Sequence, residues 1–137
     1  MAEVDDAKLD ELVGSARAAL PKAYAPYSGF HVGAALLTDD GEIRLGVNIE
    51  NASYPLSVCA ERNAVAAMVM SGSRRVLAVG VATEADRPTP PCGGCRQVLW
   101  EFGDAETPVV AEGAGGVRVR WSLGELLPDA FGPDDLR

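Results

Sequence analysis

A three-layer α/β/α fold on a mixed sheet of about five strands is predicted by three features of this sequence. Helical and strand periodicities follow in the order α-β-β-α-β-α-β-β-α, which calls for a sheet covered on both faces by helices. Val76 to Thr83 is a continuous apolar run between polar segments, as a central strand buried on both faces must be. Two helical stretches begin beside cysteines, so a site is expected at the carboxyl end of that strand, where open α/β sheets bind ligands. At 137 residues the chain is long enough for one domain with a real core and too short for two, so a single domain over residues 1–137 is expected.

The elements follow in order. Leu9, Leu12, Val13, Ala16 and Leu20 recur at helical spacing after Asp5 or Asp6, either of which can cap the start, and Pro21 ends the pattern. Ala25 to Gly29 is turn-rich. Phe30 to Thr38 and Ile43 to Val47 read as two antiparallel strands closed by Asp39-Asp40-Gly41. After the loop from Asn48 through Tyr54-Pro55, the stretch from Ser57 or Val58 to Met70 is apolar nearly all round, which predicts a central buried helix ended by Gly72. Arg87-Pro88-Thr89-Pro90-Pro91 is irregular and leads into a short helix from Cys95 to Phe102, stopped by Gly103. Val109–Ala111 and Val117–Trp121 are short late strands, and Ser122 caps a last turn through Leu127.

Composition narrows the partners. The net charge of −8 works against a nucleic-acid backbone or an anionic membrane surface, which bind through clustered Lys and Arg. No apolar run approaches the roughly 20 residues of a membrane span, and the acidic start Met1-Ala2-Glu3-Val4-Asp5-Asp6 is unlike a secretory signal, so a cytoplasmic address is expected. In such a reducing compartment three cysteines, two of them spaced CxxC, read as metal-binding or catalytic before they read as disulfides.

Cys59, Cys92 and Cys95 are the inventory of a catalytic zinc site. Zinc takes soft ligands in a tetrahedron, helix N-termini favour the thiolate, and three thiolates leave one position open for water. Glu61, two residues after Cys59, is placed to take a proton from that water and pass it to a substrate nitrogen, the machinery of hydrolytic deamination. Three thiolates on a dication leave a charge of −1, and Arg62 is expected to offset it by hydrogen bonds to the sulfurs.

The stretches Tyr27 to Leu36, Asn48-Ile49-Glu50-Asn51-Ala52-Ser53-Tyr54-Pro55, Cys59-Ala60-Glu61-Arg62, Pro91-Cys92-Gly93-Gly94-Cys95-Arg96-Gln97 and Leu126 to Gly132 resemble those of the small cytidine deaminases, in order and over almost the whole chain. That resemblance implies a free pyrimidine nucleoside as substrate, with cytidine or deoxycytidine and water giving uridine or deoxyuridine and ammonia. It implies that Asn48 and Glu50 hold the ribose 3′-hydroxyl, that Phe30 packs on the base, and that backbone near Ala60 and Glu61 reads the amide edge. It further implies one zinc ion per subunit and a homotetramer in which Phe131 reaches a neighbouring subunit's pocket.

Taken singly, several of these residues have plainer readings. The cysteines alone suit a structural zinc knuckle, but that wants a fourth protein ligand, and the lone His31 sits on a strand without ligand spacing. A redox CxxC gives Cys59 and Glu61 no role. Asn48 and Glu50 alone are loop polars, Phe30 and Phe131 core aromatics, Arg62 and Arg96 solvated charges. A deaminase of a modified cytosine nucleoside such as an antibiotic, a polynucleotide deaminase and a non-catalytic zinc-stabilised oligomeric binding module are the rival functions.

Overall fold

A computed structural model describes residues 4–137. Asp5 caps helix α1 (Asp6–Ala19), accepting from the Lys8 N–H at 2.8 Å. Strands β1 (Val32–Thr38) and β2 (Ile43–Val47) form the expected antiparallel hairpin, closed at Gly41, whose positive φ of 83° suits a residue without Cβ. Helix α2 (Ala60–Ser71) leads to β3 (Val76–Thr83), and α3 (Gly93–Phe102) leads to β4 (Pro108–Glu112). Strand β5 (Arg118–Ser122) runs into the short α4 (Leu123–Leu126), which Ser122 and Glu125 close in a reciprocal capping box.

The five strands lie in the order β2-β1-β3-β4-β5, so the apolar run at Val76–Thr83 is the middle strand. β3 pairs antiparallel to β1 and parallel to β4, and β5 returns antiparallel to β4. Both helical connections, β2-α2-β3 and β3-α3-β4, therefore join strands of like direction, the first passing over β1.

Alternation along each strand divides the core into two layers. Ala35, Leu37, Ala78, Ala82 and Val110 face Leu9, Leu12, Val13 and Ala16 of α1. Ala34, Leu36, Val79, Val81, Val109 and Ala111 face α2, α3 and α4. Arg17 ties the α1 layer to the strand ends, donating to the carbonyls of Thr83 (2.8 Å) and Gly113 (2.8 Å) and to the Glu112 carboxylate (3.0 Å).

The helix layer sits close to the sheet at one point that matters for the site. A Cβ on Gly46 would run into the backbone of Ala60 and Ala64, the first turns of α2. Gly46→Ala is therefore expected to push α2 outward and cost about 3 kcal/mol, an overpacking penalty at the upper end of the usual range. Thermal unfolding followed by circular dichroism should show a drop of about 10 °C.

The apolar circumference of α2 is only half covered by the rest of the chain. Ala60, Ala64, Val65 and Met68 are buried, whereas Ala66 and Ala67 are exposed and Met70 is 89% exposed. The expectation of a helix buried all round is corrected accordingly: one sheet can cover one face of a helix, and periodicity alone does not say what covers the other.

Candidate active site

Cys59 and Cys92 occupy the N-cap positions of α2 and α3, and Cys95 lies in the first turn of α3. These two helix starts meet beyond the end of β3, which brings the three sulfurs within 4.8 Å of one another. Cys59 Sγ is 3.9 Å from Cys92 Sγ, which is 3.3 Å from Cys95 Sγ. Cys59 is half-buried, Cys92 exposed and Cys95 buried. Hydrogen bonding from Cys95 and Cys92, aided by the charge of Arg62, outweighs burial and pulls the Cys59 thiol down to about 6. Cys95 is pushed up, by its bond to Cys59 and by burial. A cluster in which one thiol ionises readily and another resists is a set of soft donors whose protons a dication can replace. No histidine or carboxylate joins these three among the described residues, so a four-coordinate ion would keep one position for a non-protein ligand.

Arg62 is exposed and donates no hydrogen bond to the sulfurs among the described residues; it acts on Cys59 through its charge alone.

Glu61 follows Cys59 into the first turn of α2 and is 5% exposed. Burial, with the neighbouring Cys59 charge, raises its carboxyl to about 7, against the pull of its own backbone N–H. α2 is held in place by Asn63, whose amide donates to the Val47 carbonyl at 2.8 Å, and by the close contact at Gly46.

A cavity of about 240 Å³ opens beside the sulfurs, lined by Phe30, Val32, Asn48, Cys59, Ala60, Glu61, Val81, Thr83, Thr89, Pro90 and Cys92. It thus gathers Phe30, Asn48, Ala60 and Glu61 around two of the thiols. The loop carrying Asn48 is pinned on both sides, by Tyr24 N–H to the Asn48 carbonyl (3.0 Å) and by mutual bonds between Ile49 and Val58 (3.0 and 2.9 Å). Within it the Asn48 amide accepts from Val32 N–H and donates to the Phe30 carbonyl, both at 2.8 Å, acting as a strand partner for the entry to β1.

Glu50 and Phe131 are not among the lining residues. The Glu50 carboxylate accepts from the Tyr27 N–H (2.9 Å), the Ser28 N–H (3.1 Å) and the Ser28 hydroxyl, and these bonds, the hydroxyl's first, hold it below its ordinary range. Phe131 is 59% exposed, its carbonyl held by Gln97 Nε2 at 2.8 Å. The sequence reading missed Val32, Val81, Thr83, Thr89 and Pro90 as lining residues. Val81 and Thr83 were within reach, as the last same-face residues of the central strand, and Thr89 and Pro90 directly precede Cys92.

Comparison with known proteins gives the family. Residues 7–111 match the family model described as the cytidine and deoxycytidylate deaminase zinc-binding region. The cytidine deaminase of Halalkalibacterium halodurans is 46% identical over 125 residues, covering 91% of this chain and 95% of the relative. That of Mycobacterium tuberculosis is 47% identical over 131 residues, covering 96% and 95%. The crystal structure of the cytidine deaminase from Burkholderia pseudomallei superposes with a TM-score of 0.85 at 48% identity, covering 89% of this chain and 98% of the other. With the family model spanning most of the chain and near-half identity running over 95% of each of these relatives, the chain belongs to the cytidine and deoxycytidylate deaminase family.

Proposed function

We propose that this protein, as one deaminase domain over residues 1–137, hydrolyses free cytidine and deoxycytidine to uridine and deoxyuridine with release of ammonia, a step of pyrimidine salvage. The observation that carries the reading is the cavity that places the buried carboxyl of Glu61 beside a three-thiol cluster at the carboxyl end of the central strand.

Cys59, Cys92 and Cys95 hold a single zinc ion, which when bound supplies a Lewis acid that makes water nucleophilic near neutral pH. Glu61 carries protons: it takes one from the attacking water and delivers it to N3 of the pyrimidine, then takes the second from the hydroxyl now on C4 and delivers it to the amine, which leaves as ammonia. Phe30 and the apolar walls Val32 and Val81 cover the faces of the base and exclude bulk water. Backbone at Ala60 and Glu61 reads the amide edge. Asn48, with one amide hydrogen left after its bond to Phe30, donates to the ribose 3′-hydroxyl, and Glu50 accepts from it on the one lone pair that Tyr27 and Ser28 leave on Oε2.

The family model spans nucleoside and nucleotide deaminases, and the cavity favours the nucleoside. Among the described residues that line it there is no Lys or Arg to meet a 5′-phosphate, while Glu50 braces the adjoining turn and the chain carries −8 overall. Subunits associate as a homotetramer and Phe131 enters a neighbour's cavity; the exposed apolar side chains Leu56 (66%), Phe131 (59%) and Met70 (89%) supply surface for such contacts. Among the described residues no helix is long and apolar enough to cross a membrane, in keeping with a cytoplasmic address as part of this reading.

The test is ammonia release from zinc-loaded protein given cytidine, deoxycytidine or the corresponding 5′-monophosphates, with sedimentation of the same preparation. Turnover is expected with the nucleosides, and kcat/KM for the monophosphates should be lower by about 10²-fold or more, the cost of a charged group without a partner. No nucleoside turnover by protein holding one zinc per chain would sink the reading.

A further inference from the structure

Arg96 follows the thiol of Cys95 in the first turn of α3, and its guanidinium is spent on two main-chain carbonyls. Nε donates to the Pro91 carbonyl at 2.7 Å and Nη1 to the Leu126 carbonyl at 2.9 Å. The side chain is half-buried, unlike the solvated charge that its position in the sequence suggests. Pro91 immediately precedes Cys92, so this one side chain links the arm that carries Cys92 to the last residue of α4.

Elsewhere the arm is held by side chains: Pro88 and Pro91 are buried, and the Thr89 hydroxyl bonds the Thr83 hydroxyl (3.4 Å) and the Arg87 carbonyl (3.3 Å), while the arm's main chain is sparsely bonded. Pro88, Pro90 and Pro91 have no N–H to give to a backbone ladder. Among the described residues, the bond from Arg96 is the one hydrogen bond made to or by the main chain of residues 88–91. Nor does Cys92 fasten the start of α3, since its side chain makes no cap bond. A planar fork with donors at fixed spacing suits two carbonyls approached from different segments, where an ammonium would serve one. The next residue, Gln97, holds the Phe131 carbonyl, so consecutive positions of α3 grip both ends of residues 126–131.

We propose that Arg96 is a positioning residue for the metal site, clamping the Cys92 arm to the C-terminal segment, so that zinc retention depends on Arg96 and on the Leu126 carbonyl, neither of which touches the ion. The proposal rests on the three-thiolate zinc site of the preceding reading.

Zinc-loaded wild-type protein, Arg96→Ala, Arg96→Lys and Leu12→Ala are compared by competition with a chromogenic zinc chelator, with circular dichroism to establish folding. Leu12 is fully buried in the α1 layer, so its truncation loosens the fold without touching either segment that Arg96 joins. Arg96→Ala should weaken zinc retention by about 10-fold or more, the usual effect of removing a group that orients a ligand. Arg96→Lys should fall between it and wild type, and Leu12→Ala should match wild type. Amide exchange at residues 126–131 should quicken in Arg96→Ala, and also in wild-type protein stripped of zinc, because the coupling is reciprocal. Should Arg96→Ala fail to fold, Arg96→Lys decides. Wild-type retention in the folded Arg96 variants, or an equal loss in Leu12→Ala, would overturn the clamp alone. Wild-type protein that binds no zinc would remove the site itself, and the clamp with it.

Discussion

Glu61→Gln is expected to lower kcat by about 10²–10⁴-fold, the range supplied by a positioned acid–base group, with zinc content unchanged. The two side chains have the same shape, so the buried position, 5% exposed, is filled without a cavity. Glu61 is not one of the three clustered ligand residues, so the metal site is left whole. What changes is the ability to accept a proton. An amide in that place neither takes one from water nor delivers one to a ring nitrogen, so KM should move far less than kcat. Steady-state ammonia release beside metal analysis of the same sample reads both quantities. If Glu61→Gln kept more than about a tenth of wild-type kcat, the proton-carrying role would be lost to some other group.

Removing the metal should have the other large effect. Chelation is expected to bring turnover to background, and stoichiometric zinc to restore it in wild-type protein but not in Cys95→Ser. Cys95 is fully buried, so the serine hydroxyl replaces a soft ligand by a hard, poorly ionised one where no water compensates. Stability should fall along with activity. A ligand present at a thousand times its dissociation constant contributes about 4 kcal/mol to the folded state. For a chain of this size that corresponds to roughly 10 °C in melting temperature. Melting of zinc-loaded and stripped protein by calorimetry gives the difference; equal temperatures would mean that the thiols hold no metal in the folded state.

Much of this was written in local pattern. The hairpin at Ile43–Val47 and the central strand at Val76–Thr83 stand where their periodicity put them, because a two-residue or continuous apolar repeat is a short-range signal. The cysteines and Glu61 were legible because zinc chemistry restricts residue type and spacing together. What pattern did not carry was pairing at a distance. Nothing near β1 says that β3 lies antiparallel beside it, since the order of strands is decided by burial of both layers at once. Asn48 and Glu50 looked like loop polars, and their bonds to Phe30, Val32, Tyr27 and Ser28 join segments about twenty residues apart. Arg96, a solvated charge by its position in the sequence, joins the Pro91 carbonyl to the Leu126 carbonyl thirty-five residues further on. The exposed side of α2 at Ala66, Ala67 and Met70 illustrates the same limit, because hydropathy records that a surface wants cover and not which molecule supplies it.

The two N-cap cysteines carry a cost of their own. Asp5 and Ser122 fasten the starts of α1 and α4 with side-chain oxygens, but Cys59 and Cys92 make no such bond to α2 and α3. An oxygen-bearing residue at each would add about 1 kcal/mol to its helix. The chain forgoes that at both helix starts, so selection for stability alone would draw these positions towards Ser or Asp and away from catalysis. The two helix starts are therefore held short of their best stability at the positions where the thiols are needed.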